Sequence, residues 1–178
     1  LALRLQRANA AERENIFEQE VRGRLNALRA LHRGGSSLTE EEKTEVLALI
    51  NGVFGWMMPR EDGTPGALKD HQIMAALVMQ NREVAEVKTG GGKTFAIASA
   101  AVLQYLVAPD EAPVFIVTHT PHAARAAAQD NIVQGGVKPL LDVLIHDPAG
   151  RPSVGLVPGS TGHETEESYR ALLAAKRA

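Results

Sequence analysis

The chain has 178 residues, enough for one sizeable domain with a core plus an appendage. Its composition, 44% hydrophobic and 22% charged, is that of a soluble globular protein, and a formal net charge of -2 argues against a chain built mainly to neutralise phosphate backbones. The absence of cysteine excludes disulfides and thiolate metal sites. No apolar run approaches the roughly 20 residues of a membrane span, so no transmembrane segment and no secretory leader are expected.

In chain order, Leu3, Ile16, Val21, Leu25, Leu28 and Leu31 recur at helical spacing until "RGG" at 33–35 stops the run. "SSLTEEEKTEVLALINGVFGWMM" opens a second helix, with Thr39 and Glu42 spaced as a capping box. "PREDGTPG" (59–66) reads as a loop or linker. Residues 68–80 are predicted helical, "EVAEV" (83–87) a short apolar strand, and 93–107 a helix of small residues. "PVFIVT" (113–118) is predicted as a buried strand, "PHAARAAAQDNIV" and "KPLLDVLI" as helices, and "SVGLV" (153–157) as a third strand. Apolar strands alternating with helices predict an α/β fold: an incomplete parallel-sheet P-loop (RecA-like) nucleotide-binding domain, preceded by an α-helical N-terminal segment. The division is expected at residues 1–66, a helical extension, and 67–178, the nucleotide-binding part. A start at Leu1 and an end inside the helix-like "EESYRALLAAKRA" predict a fragment of something longer.

The strongest motif is "KTGGGKT" at 88–94. Gly90, Gly91 and Gly92 allow a tight turn that aims successive N–H groups at an anion, and a helix opening at Lys93 adds its dipole and free amides. Lys93 is placed to reach the β- and γ-phosphates and the Thr94 hydroxyl to ligate Mg²⁺. The general pattern G-x-x-x-x-G-K-[ST] puts its first glycine at Val87, so the match is partial. Upstream, Gln72 opens a helix with an amide able to pair with the N6/N7 edge of adenine; by itself it reads more readily as a solvent-facing helical glutamine.

Taken together, "DHQIMAALVMQNREVAEVKTGGGKTFAIASAAVLQYL" resembles the start of the DEAD-type motor domain of the SecA preprotein translocase ATPases. That family has an Asp-x-Gln before a helix, an "IAEM"-like strand and then "TGEGKT"; here Asp70-His71-Gln72, "VAEV" (84–87) and Thr89 to Thr94 take those places. The family also lacks the first P-loop glycine. "PVFIVTHTPHAARAAAQD" is similar to the family's second strand and motif Ia, with Thr118, Ala124 and Arg125 on matching positions. The resemblance covers about residues 67–160 and is most specific over 83–94; residues 1–66 carry no specific motif.

The resemblance implies an ATP- or ADP-binding, Mg²⁺-dependent motor. Gln72, Thr89, Gly90, Gly91, Gly92, Lys93 and Thr94 would contact the nucleotide, Lys69 would stand beside Gln72 at the base, and Lys93 and Thr94 would act in catalysis. In the full protein, ATP hydrolysis would drive a polypeptide substrate through a membrane translocation channel, from the cytoplasmic side or the membrane periphery. This chain departs from the pattern at Gly91, where the family keeps glutamate, at Ala67, where it opens its adenine motif with arginine, and in motif Ia, which reads "THTPHAAR". It also ends before any Asp-Glu-x-Asp strand, so little hydrolysis is expected from these residues alone. Two other readings are a nucleic-acid helicase or translocase of the same motor class, and a non-catalytic interaction domain that keeps the fold.

Other chemistry is weaker. Asp147 follows Val143, Leu144 and Ile145 like a strand-ending carboxylate, but Asp147-Pro148 is turn chemistry. His71, His119, His122, His146 and His163 are scattered, with no cysteine and no H-E-x-x-H, and Ser153 and Ser160 lack a G-x-S-x-G setting.

Overall fold

A computed structural model describes residues 1–32, 36–88, 90–108, 114, 116, 125–127, 132 and 136–145. The first helix, α1 (Ala2–Arg7), ends where Ala8 turns extended, and Asn9 starts the next. Asn9 Oδ1 accepts the Glu12 N–H (3.0 Å) while Glu12 Oε2 accepts the Asn9 N–H (2.9 Å), closing a capping box on α2 (Ala10–Ile16). The chain continues through one π-helical segment, Phe17–Arg22, into α3 (Gly23–His32). That wider turn sets Phe17 edge-on to Trp56 (5.3 Å between centroids) and lets Arg22 Nε donate to the Val143 carbonyl (2.9 Å).

Of the apolar positions spaced along this first run, Ile16, Val21, Leu25 and Leu28 are buried, whereas Leu3 and Leu31 lie exposed. The break at Ala8 and the π segment each rotate the helical register, so a single 3.6-residue stripe does not persist from Leu3 to Leu31.

The next helix, α4 (Glu40–Met57), begins with the expected capping box: Glu42 Oε2 accepts the Thr39 N–H (2.8 Å) and Thr39 Oγ1 accepts the Glu42 N–H (3.2 Å). Three glutamates in its first turn suit the positive end of the helix dipole. The link from 58 to 69 folds back along α4. Gly66 N–H donates to Gly55 O (3.1 Å), and Asn51 Oδ1 accepts the Leu68 N–H (2.7 Å), which fixes where α5 (Asp70–Gln80) starts.

α6 (Lys93–Val107) is the centre of the packing. It lies most extensively against α5 and also touches α3, α4 and α7 (Lys138–Leu144). Its Ala98, Val102, Leu103 and Leu106 are wholly inaccessible, and its Phe95 stacks edge-on against Phe54 of α4 (4.9 Å). One hydrophobic cluster therefore joins residues on both sides of position 66, from Leu5 and Ile50 to Leu103 and Leu144.

The expected parallel-sheet α/β fold is not what these residues form: among the described residues there are helices and no strand. The segment 83–88, predicted as the first strand, is irregular and Val84 is 97% exposed. A strand exists by pairing its N–H and C=O groups with a neighbour, and the described residues supply no such neighbour. Within the predicted strand 113–118, residues 114 and 116 carry no regular structure; the rest of it, and 153–157, lie outside the described residues. The same holds for Asp147 and for the last predicted helix.

Candidate functional site: a glycine loop clamped to a neighbouring helix

The glycine loop joins the irregular segment after α5 to the first turn of α6. Gly91 N–H donates to Lys88 O (3.0 Å), making a turn. Gly90 and Gly92 have φ of +78° and +73°, and Gly91 between them does not. Such alternation of hand makes successive amides converge on one concavity. Gly92 is also the residue that leads into α6, with φ 73 and ψ 40, a conformation that glycine adopts without steric penalty.

α5 holds this loop from the side. Its first turn is closed by Gln72, three residues past Lys69: Gln72 Oε1 accepts the Lys69 N–H at 2.8 Å. The other end of the same amide donates to two successive carbonyls, Gly91 O (3.0 Å) and Gly92 O (3.2 Å). The side chain is only 5% exposed for the residue as a whole, so these bonds are made largely out of water. His71, on the exposed side, places Nε2 at 2.8 Å from Gly91 O.

The fit leaves no room for side chains at 91 and 92. A Cβ on Gly92 would stand 2.1 Å from Gln72 Nε2, and one on Gly91 would stand 2.9 Å from both Lys88 O and Val87 Cγ1 and 3.4 Å from His71 Nε2. Gly90 meets nothing within 4 Å; its requirement is the positive φ alone.

A trans peptide sets its C=O and N–H on opposite sides, and the described chain has no cis bond. Fixing the carbonyls of Gly91 and Gly92 on α5 therefore turns the N–H groups of Gly92 and Lys93 the other way. Among the described residues, neither these two N–H groups nor that of Thr94 has an acceptor. They sit at the positive end of a helix of 15 residues. An anion with several oxygens matches this arrangement, and the exposed Lys93 adds a full positive charge beside it.

The structure thus brings Gln72, Gly90, Gly91, Gly92, Lys93 and Thr94 to one place. Thr89 and Thr118 lie outside the described residues, and Arg125 is exposed in a helical stretch at 125–127. Gln72, expected at the adenine edge, has its amide engaged with the loop and with Lys69. His71 is the residue that the sequence reading passed over as one scattered histidine. The signal for it was its place beside Gln72 in the first turn of the helix that precedes the loop, 20 residues before Gly91.

No helix of the described residues is long and apolar enough to cross a membrane. No solved structure matches the chain. A family model, the SecA DEAD-like domain, matches residues 3–133. The match takes in the glycine loop and α5, and also the N-terminal helices in which no specific motif is legible. With most of its length and the whole of the loop inside that match, the chain belongs to the SecA DEAD-like domain family.

Proposed function

We propose that residues 90–94, held by α5, bind the phosphates of ATP or ADP in a SecA-like motor ATPase. The observation that carries this reading is the pair of successive carbonyls drawn onto Gln72, which leaves the N–H groups of Gly92 and Lys93 facing a common open side at the start of α6. Gly90, Gly91 and Gly92 form the cradle, and Lys93 neutralises charge on the outer phosphates. Thr94, half-buried on the first turn of α6, offers its hydroxyl to a Mg²⁺ ion that accompanies the nucleotide. Bound Mg²⁺-nucleotide would supply the phosphoryl group whose transfer to water drives the motor.

Gln72 and Lys69 stand at the base side of the loop. To pair with the adenine edge, the Gln72 amide must exchange one of its two carbonyl partners, Gly91 O or Gly92 O, for the base, so base recognition and loop geometry draw on the same side chain. In this reading residues 1–66 are a helical extension and residues 67–178 the nucleotide-binding part, seated on each other through the shared cluster. The whole protein would use hydrolysis to move a polypeptide substrate, with a membrane translocation channel as partner and a cytoplasmic or membrane-peripheral location.

Titration calorimetry with ATP and ADP in the presence of Mg²⁺ tests the reading. The wild-type chain is expected to bind both, and Lys93→Ala to bind roughly 10- to 100-fold more weakly, the effect of removing a charged hydrogen-bond donor. Absence of binding by the wild type, or equal binding by the two proteins, contradicts it.

A further inference from the structure

We propose that His71 is a positioning residue for the phosphate loop, holding the Gly91 peptide in its anion-binding orientation alongside Gln72. The inference rests on the phosphate-site reading above and goes beyond it in assigning a role to a side chain outside the loop motif.

Three observations converge on it. First, Gly91 O receives two side-chain donors from adjacent residues of α5, His71 Nε2 at 2.8 Å and Gln72 Nε2 at 3.0 Å. A carbonyl oxygen has two lone pairs, so both bonds can be made at once. Second, the peptide that His71 holds is closely enclosed: a Cβ on Gly91 would stand 2.9 Å from both Lys88 O and Val87 Cγ1 and would touch His71 Nε2 at 3.4 Å. Third, the two donors are not equivalent. Gln72 is buried and also serves Lys69 N–H and Gly92 O, whereas His71 is exposed and its Nε2 bonds Gly91 O alone among the described residues.

The mechanical consequence follows from peptide planarity. The Gly91 carbonyl and the Gly92 N–H belong to one rigid unit, so a donor that fixes the first also fixes the second. With both donors in place, the Gly92 N–H is set before the anion arrives, and the anion meets a cradle that needs little reordering. Where Gln72 turns to another partner, His71 keeps the Gly91 peptide from rotating. The imidazole must carry its proton on Nε2 to donate, which assigns that tautomer, or the doubly protonated ring, to the latched state.

The test uses inorganic pyrophosphate, which has phosphates and no base, titrated calorimetrically into the 178-residue chain and its variants, with thermal unfolding of each as a control for folding. His71→Ala is expected to bind pyrophosphate about three- to tenfold more weakly than wild type, one net hydrogen bond's worth, with an unchanged melting temperature. His71→Gln, whose amide nitrogen reaches the same distance along the side chain as Nε2, is expected to recover most of the affinity. Equal binding by wild type and His71→Ala overturns the latch while leaving the phosphate site standing. Equal losses in His71→Ala and His71→Gln also overturn it, because a donor at that reach would then make no difference. If the wild type binds neither pyrophosphate nor ATP, the phosphate-site reading fails and takes the latch with it.

Discussion

The helices before residue 58 and the glycine loop between α5 and α6 are held by different physics. In the first, Leu25, Leu28, Val46, Ile50 and Val53 are almost wholly buried, and the helix ends are closed by capping boxes at Asn9/Glu12 and Thr39/Glu42. In the second, α6 contributes Val102, Leu103 and Leu106 to that same core, whereas towards the loop the buried residues are small, Ala75, Ala76 and Ala96, and the loop is tied by hydrogen bonds from His71 and Gln72. Burial of large aliphatics is non-directional and scales with area, so it stabilises without specifying the direction of any one peptide. Small residues let two helices approach, and polar contacts then set individual peptide planes. Stability comes from the core that both regions share, and the orientation of the loop peptides from α5.

That division can be broken from either side. Leu28→Ala in α3 removes a fully buried side chain and is expected to lower the unfolding free energy by about 2–5 kcal/mol, measured by denaturant titration, with ATP affinity of the folded protein nearly unchanged. Lys93→Ala should do the reverse. Lys93 is exposed, so its loss should leave the denaturation midpoint in place while weakening nucleotide binding by about 1.5–3 kcal/mol. Leu28→Ala weakening ATP binding as strongly as Lys93→Ala would show that the two regions are not separable.

Gly92→Ala joins the two effects at one position. The new Cβ would meet Gln72 Nε2 at 2.1 Å, and alanine at φ +73° adds roughly 1–2 kcal/mol of backbone strain. Displacing Gln72 removes one donor from each loop carbonyl, leaving His71 on Gly91 O and the Phe95 N–H on Gly92 O, so melting temperature and nucleotide affinity should fall together. A variant that melts earlier but binds ATP like wild type would separate loop geometry from Gln72.

The smallest expected effect is a pH dependence confined to the first region. The Thr39 N–H, and after it His32 Nε2 at 3.1 Å, hold the Glu42 carboxyl down at about 2, against an ordinary value of 4.5. A carboxylate lowered on folding contributes stability that is present above its unfolded value and is lost as pH falls from about 4.5 towards about 2. Glu42→Gln should flatten the stability profile in that window and leave the profile near neutrality unchanged. An unaltered acid limb in Glu42→Gln would place the acid sensitivity elsewhere.

The helices were readable for local reasons. The Thr39/Glu42 spacing announced the start of α4, and the glycines before Lys93 announced the start of α6 at the residue where it begins. The same capping logic at Asn9 and Glu12 was present in the sequence and would have split the first helical run. The strand expected at 83–87 does not form because a short apolar run reports what a segment can pair with, while pairing itself is non-local. At the proposed site, the loop was legible as a candidate because glycine, lysine and threonine at that spacing are a local pattern suited to phosphate. The clamp from α5 was not, since it depends on how closely α5 approaches Gly91 and Gly92, about 20 residues further along, a distance fixed by packing around α6.

The central claim is that α5 orients a loop whose amides receive phosphate. Amide chemical shifts followed by ¹⁵N–¹H correlation spectra during titration with Mg²⁺-ATP test it most directly. The account predicts the largest shifts at Gly90, Gly92, Lys93 and Thr94, smaller ones at His71 and Gln72, and little change at Leu28 or Val53. Shifts centred away from the loop, or none at saturating nucleotide, would contradict it.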